Sequence, residues 1–144
     1  MTSSSPISVE QRQALIEHAM TARQNAYAPY SHYKVGAALL ASDGTIFTGC
    51  NVENAAYPVG ICAERTAVVK AVSERVKKFI AIVVVTEDGG SPCGMCRQTL
   101  NEFSPDIWIV AAAADGTIVF EQALHQILPY GFGPANLNVN PEQI

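Results

Sequence analysis

Apolar and polar positions along the chain fall into segments of different period, and these periods predict the elements. Ser8-Val9-Glu10-Gln11 has the spacing of a capping box, with Ser8 as N-cap and Gln11 at the third helical position. Leu15, Ala19, Ala22 and Ala26 then recur at helical intervals, so a first helix is expected from about Val9 to Tyr27, stopped by Pro29. Val35–Ala41 and Thr45–Cys50 read as strands on either side of the turn Ser42-Asp43-Gly44, which makes a hairpin. Asn51–Gly60 has no period and reads as a loop. Cys62 to about Val76 is helical, with Ala63, Ala67, Val68 and Ala71 on one side. Phe79–Thr86 is a nearly continuous apolar run, which suits a strand buried on both faces.

The second half repeats this alternation. Loop Glu87–Pro92 leads into a short helix, Cys93–Phe103, and then a strand, Ile107–Ala112. Asp115-Gly116 is a hairpin signal, followed by strand Thr117–Phe120 and a last helix, Glu121–Leu128. Residues 1–7 are expected to be a disordered N-terminus, and everything from Pro129, including 138–144, a tail. Strands alternating with helices predict an α/β sheet covered by helices. The final two strands are joined by about four residues, whereas a parallel crossover needs a dozen or more, so they are expected to be antiparallel.

Composition narrows the class. The 144 residues fit one domain, and 49% apolar against 15% charged residues argues against disorder. So low a charged fraction also hints at self-association. The net charge of −4 and the absence of any basic run longer than Arg75-Val76-Lys77-Lys78 favour a small-molecule partner over nucleic acid or an anionic membrane. Met1–Ile7 has neither a basic nor an apolar signal region, and no apolar run approaches the ~20 residues of a membrane span. A cytoplasmic protein is expected. There, four cysteines point to metal or catalysis before disulfides.

Three features then stand together. Cys62-Ala63-Glu64 opens one predicted helix, Pro92-Cys93-Gly94-Met95-Cys96 opens the next, and the buried strand lies between them. Successive helices of an alternating sheet can start at the same sheet end, which brings Cys62, Cys93 and Cys96 to one point. Three thiolates can hold Zn²⁺ and leave a fourth tetrahedral position for water, the catalytic rather than the structural pattern. Helix N-termini favour thiolates through the dipole. Three thiolates and one Zn²⁺ sum to −1, which Arg65 could offset by hydrogen bonding to a thiolate. Glu64 as a fourth ligand would close the site; beside a metal-bound water it can take a proton and later return it to a leaving group. A zinc ribbon would need a second C-x-x-C, and a thioredoxin-like pair would not need Cys62-Ala63-Glu64. Cys50 has no partner motif and reads as a buried free cysteine.

Cys62-Ala63-Glu64 and Pro92-Cys93-Gly94-Met95-Cys96-Arg97-Gln98 fit the three-cysteine version of the zinc-deaminase signature, in which the Glu is general acid and base. With Tyr30–Ala38, Thr48–Ala55 and Leu128–Pro134, they resemble the homotetrameric zinc-dependent cytidine deaminases over about Val9 to Leu137. The resemblance implies a three-layer sandwich with a mixed five-stranded sheet, helices on both faces and antiparallel last strands. It implies one Zn²⁺ per chain on Cys62, Cys93 and Cys96, with Glu64 as proton shuttle. By the same resemblance Asn51 and Glu53 would grip the ribose 3′-hydroxyl, and the Ala63 N–H would meet the pyrimidine carbonyl. The Ser91 carbonyl would receive ammonia, Tyr33 would lie near base and sugar, and Phe132 and Tyr57 would enter a neighbouring subunit's site. The implied reaction converts cytidine and deoxycytidine to uridine and deoxyuridine, in a homotetramer with shared sites.

One position departs from the family, which commonly has Phe where Tyr33 stands; a phenol stacks as well but adds a hydroxyl needing a partner. Blasticidin S deaminase is a rival on the same scaffold, sharing Phe47-Thr48-Gly49 and the zinc motifs; Asn51-Val52-Glu53-Asn54 argues against it. A non-catalytic zinc-stabilised interaction module is disfavoured by Glu64 and the missing fourth ligand.

Overall fold

The computed structural model describes residues 4–144. Its sheet is formed by β1 (Gly36–Ala41), β2 (Ile46–Cys50), β3 (Phe79–Thr86), β4 (Trp108–Ala113) and β5 (Ile118–Ala123), in the order β2-β1-β3-β4-β5. Only β3 and β4 are parallel; every other neighbouring pair is antiparallel, including the last. The β3–β4 crossover is the helix α3 (Gly94–Phe103), as a parallel pair requires.

The period-2 alternation of the central strands divides the core into two layers. Ala38, Leu40, Val83, Val85 and Val110 face α1 (Val9–Arg23), which contributes Leu15, Ile16 and Ala19. Leu39, Ile82, Val84 and Ile109 face α2 (Ala63–Ser73) and α3, which bring Ala67, Val68 and Leu100. The short α4 (Leu124–Ile127) closes this second layer through Leu124. The result is the expected three-layer sandwich.

Gly49 sets how closely α2 approaches the sheet. A Cβ there would lie 2.5 Å from the Ala63 carbonyl oxygen and 2.6 Å from the Ala67 nitrogen. The start of α2, which carries Cys62 and Glu64, is thereby seated directly on β2.

Three expectations are corrected. The helix α1 ends at Arg23 rather than Tyr27, because the chain turns away and Tyr27 pairs with the 51–53 loop: its N–H donates to Asn51 O at 3.0 Å, and Glu53 N–H to its carbonyl at 2.8 Å. Glu121–Ala123 continue β5 rather than starting a helix. Glu121 is held there by Trp108 Nε1, which donates at 3.0 Å, and by Arg12 at 3.3 Å. Within the expected disordered stretch 1–7, residues 1–3 lie outside the described residues, but Ile7 is buried against Leu15, Trp108 and their neighbours. The tail carries helical turns at Pro134–Leu137 and Pro141–Gln143, and Glu142 pairs with Lys78 at 3.5 Å. No helix among the described residues is long and apolar enough to cross a membrane.

Candidate active site

Cys62 is the N-cap of α2 and Cys93 the N-cap of α3, and neither side chain caps its helix. Both sulfurs turn instead toward each other, 3.9 Å apart. Cys96, one turn into α3 and fully buried, lies 3.5 Å from Cys93, and all three sulfurs are within 4.8 Å of one another. Bonds of ~2.3 Å in a tetrahedral zinc site separate sulfurs by about 3.8 Å, close to the spacing of this donor set, which therefore fits the ion. Cys50 lies outside the cluster, half-buried.

The cluster is electrostatically prepared for an anion-rich centre. The Arg65 guanidinium lies 3.6 Å from Cys62 Sγ. The Cys96 thiol and then Arg65 draw the Cys62 thiol down to about 5 against the penalty of burial, while interaction with Cys62, together with burial and the nearby Glu64, pushes the Cys96 thiol up. Burial works against the charge on Arg65, but the Cys62 and Cys96 sulfurs outweigh it and hold its pKa above the ordinary value.

Glu64 is 4% exposed, the only buried carboxyl among the described residues. Burial lifts its pKa above the usual carboxylate range. It lines a cleft of about 370 Å³ together with Cys62, Cys93, Ser91, Tyr33, Asn51, Glu53 and Tyr57. Most of the residues singled out from the sequence therefore meet at one opening. Ala63, the first residue of α2, is fully buried, and its N–H is one of those a helix start leaves free. Phe132 does not line this cleft; the residue is 58% exposed on the tail.

The polar groups at the mouth are already oriented. Glu53 Oε1 accepts the backbone N–H groups of Tyr30 at 2.9 Å and Ser31 at 3.1 Å, leaving its second oxygen free of these bonds. Hydrogen bonds from Ser31 hold its pKa below the usual carboxylate range. Asn51 accepts from Val35 N–H at 2.9 Å and donates to the Tyr33 carbonyl at 2.7 Å, which leaves one amide proton for a ligand. The Tyr33 hydroxyl has its partner in Asp88 Oδ1, at 2.7 Å. Desolvation raises the phenol's pKa, and the bond from Tyr33 lowers that of Asp88, so the phenol is donor and the carboxylate acceptor.

Several organising residues carry no expected role from the sequence. Arg97 donates to the Pro92 carbonyl, the Ile127 carbonyl and Ser91 Oγ at 2.8, 2.7 and 3.0 Å, tying the loop before Cys93 to the end of α4. Gln98 and Asn101, one turn apart on α3, both donate to the Phe132 carbonyl, at 2.8 and 3.0 Å. Only the shared i, i+3 face of α3 could have signalled the pair.

Comparison with known proteins agrees with this geometry. A family model described as the cytidine and deoxycytidylate deaminase zinc-binding region matches residues 9–112. A cytidine deaminase of Sporosarcina psychrophila is 46% identical over 134 residues, 90% of this chain and 96% of that protein. A probable cytidine deaminase of Dictyostelium discoideum is 44% identical over 137 residues, covering 93% and 92%. The crystal structure of a cytidine deaminase from Burkholderia pseudomallei superposes with a TM-score of 0.80 at 45% identity, covering 83% of this chain and 98% of the other.

Proposed function

This chain belongs to the cytidine and deoxycytidylate deaminase zinc-binding family, and from that premise we propose that it hydrolyses cytidine and deoxycytidine to uridine and deoxyuridine, releasing ammonia. The observation that carries the reading is the buried Glu64 carboxyl beside three convergent sulfurs at one end of an open cleft. The reaction consumes one water and exchanges the C4 amine for a carbonyl, a step of pyrimidine salvage. Residues 1–144 act as one deaminase domain, and four free cysteines suit the reducing cytoplasm.

Cys62, Cys93 and Cys96 hold the zinc, and Arg65 offsets the excess negative charge. Zinc bound there supplies Lewis-acid chemistry that lowers the pKa of a water to about 7. Glu64 takes one proton of the attacking water and carries it to N3 of the pyrimidine, then takes the second from the new C4 hydroxyl and passes it to the amine, so that ammonia leaves as the C4 carbonyl forms. Burial, which raises its pKa, favours its holding a proton between the two transfers. The Ala63 N–H donates to the pyrimidine carbonyl, and the Ser91 carbonyl accepts from the amine as it leaves. The free oxygen of Glu53 and the remaining proton of Asn51 bind the sugar 3′-hydroxyl, with Tyr33 against base and sugar. Phe132 reaches a neighbouring subunit's site in a homotetramer, whereas Tyr57, for which the same role was expected, lines the cleft of its own chain.

The cleft also supports a choice between nucleoside and nucleotide. Among the described residues, no Lys or Arg of this chain lines it, while Glu53 and Glu64 do. A phosphate would meet carboxylate charge and find no cation from this chain.

A substrate panel read by ammonia release tests the reading. Cytidine and deoxycytidine should both be good substrates. Free cytosine and 3′-deoxycytidine leave the Glu53–Asn51 clamp unpaired, which costs roughly 1–3 kcal/mol per polar group. Deoxycytidylate, internal sites in single-stranded nucleic acid, and blasticidin S should all be slower than cytidine. A higher kcat/KM for blasticidin S or for deoxycytidylate would overturn the assignment.

A further inference from the structure

The segment between β3 and α3 forms one wall of the cleft, through Gly90 and Ser91, and runs directly into Cys93. It contains the pair Gly89-Gly90, and Gly89 has φ +80°, so its middle has little intrinsic stiffness. Its rear end is held by Arg97. Its front end is held by side chains from the stretch leading into β1. Because β1 and β3 are antiparallel with Gly36 opposite Val85, Tyr33 and Lys34 stand beside Thr86, Glu87 and Asp88.

The hydrogen bonds there form a continuous path. Asn51 donates to the Tyr33 carbonyl, the Tyr33 hydroxyl donates to Asp88 Oδ1, and Thr86 Oγ1 donates to the same oxygen at 3.2 Å. Thr86 Oγ1 in turn accepts the N–H groups of Gly89 and Gly90, both at 2.8 Å. Alongside, Arg23 donates to the Lys34 carbonyl at 2.9 Å and pairs with Glu87 at 2.7 Å. The sugar clamp and the zinc-side wall are thus linked through one phenol and one carboxylate.

We propose that the Tyr33 hydroxyl is a positioning group: by donating to Asp88 it fixes the Gly89–Gly90 turn, and with it the Ser91 wall of the cleft, against the β1–β3 edge. Tyr33 and Asp88 are both exposed, and exposed polar pairs contribute little to folding. The bond's effect therefore falls on the placement of Ser91 in turnover rather than on stability. The phenol gains this second task in addition to its ring contact, and Asp88 becomes a determinant of rate without touching substrate.

This inference rests on the deaminase reading for its kinetic arm, and amide exchange tests it independently. Tyr33→Phe and Asp88→Ala should each lower kcat for cytidine by about tenfold, the loss expected for one charge-assisted hydrogen bond. KM should stay within about twofold, and the double variant should be no worse than the poorer single, as for two ends of one bond. Asp88→Asn, whose amide oxygen still accepts the phenolic proton, should recover most of the loss. Hydrogen exchange at the Gly89 and Gly90 amides should accelerate in Tyr33→Phe and Asp88→Ala but not in Asp88→Asn, with Tm little changed in all three. Unchanged exchange in Tyr33→Phe overturns the proposal even if cytidine is not the substrate. Impaired Tyr33→Phe beside fully active Asp88→Ala also overturns it, since the hydroxyl then acts on the substrate directly. Additive kinetic losses, or losses that follow Tm, do the same.

Discussion

Two of the three sulfurs occupy N-cap positions, where Ser, Thr, Asp or Asn would normally satisfy a free helix N–H. Both helices begin without a side-chain cap, and the sulfurs are spent on the cluster instead. This makes a clean substitution available. Cys93→Ser supplies a good capping residue and should leave α3 intact, yet it removes one of three ligands. Metal analysis should find about one zinc per chain in the wild type, close to none in Cys93→Ser after dialysis, and wild-type content in Cys50→Ser. Glu64 should behave differently from the cysteines. Glu64→Gln keeps the shape and the burial and removes the exchangeable proton, so zinc content and Tm should hold while turnover falls by roughly 10²–10⁴-fold. Near-normal turnover would remove Glu64 from the mechanism, and loss of zinc would make it a structural part.

At the level of elements, the position of α2 depends on a single missing side chain. Gly49→Ala would place a Cβ 2.5 Å from the backbone of α2, and relieving such overpacking costs typically ~1–3 kcal/mol. Because Cys62 and Glu64 move with that helix, activity should fall more steeply than stability. Gly44→Ala is the control: its turn has φ +90° but open space around it, so denaturant unfolding should show a loss of about 1 kcal/mol with activity preserved. Equal activity losses in the two would disconnect α2 placement from catalysis. The same contrast explains what could be read from the sequence. The Ser8–Gln11 capping box, the apolar run Phe79–Thr86 and the Asp115-Gly116 turn are local signals, and all three stand where they were expected. So does the Cys62, Glu64, Cys93, Cys96 constellation, whose spacing reflects two helix starts beside one strand. The end of α1, the length of β5 and the docking of Ile7 depend on partners distant in sequence: Asn51 for the first and Trp108 for the other two. The bonds from Tyr33 to Asp88 and from Gln98 to Phe132 span 55 and 34 residues, and no local pattern announces them.

At the scale of the whole molecule, several large apolar side chains stand on the surface. Tyr130 is fully exposed, and Tyr57, Val59, Phe132 and Leu137 are each more than half exposed. Phe132 is not loose: Gln98 and Asn101 hold its carbonyl, so the ring is presented to solvent from a fixed backbone. A rigid exposed aromatic is the kind of residue that anchors an interface, and a charged fraction of 15% leaves little polar surface to cover the rest. The proposed homotetramer predicts a particle of about four times the 15.4 kDa chain mass in light scattering. Shared sites make a sharper prediction than mass. Phe132→Ala should raise KM for cytidine with helix and strand content unchanged, and Glu64→Gln should be inactive. Co-assembly of the two variants puts an intact Glu64 in one subunit beside an intact Phe132 from its neighbour. Random mixing in equal amounts should then restore wild-type KM at about a quarter of the sites, so that activity at low cytidine exceeds the mean of the two parents. Activity no higher than the mean of the two parents, or a fully active monomer at assay concentration, would mean that each chain completes its own cleft and that the exposed ring of Phe132 serves assembly alone.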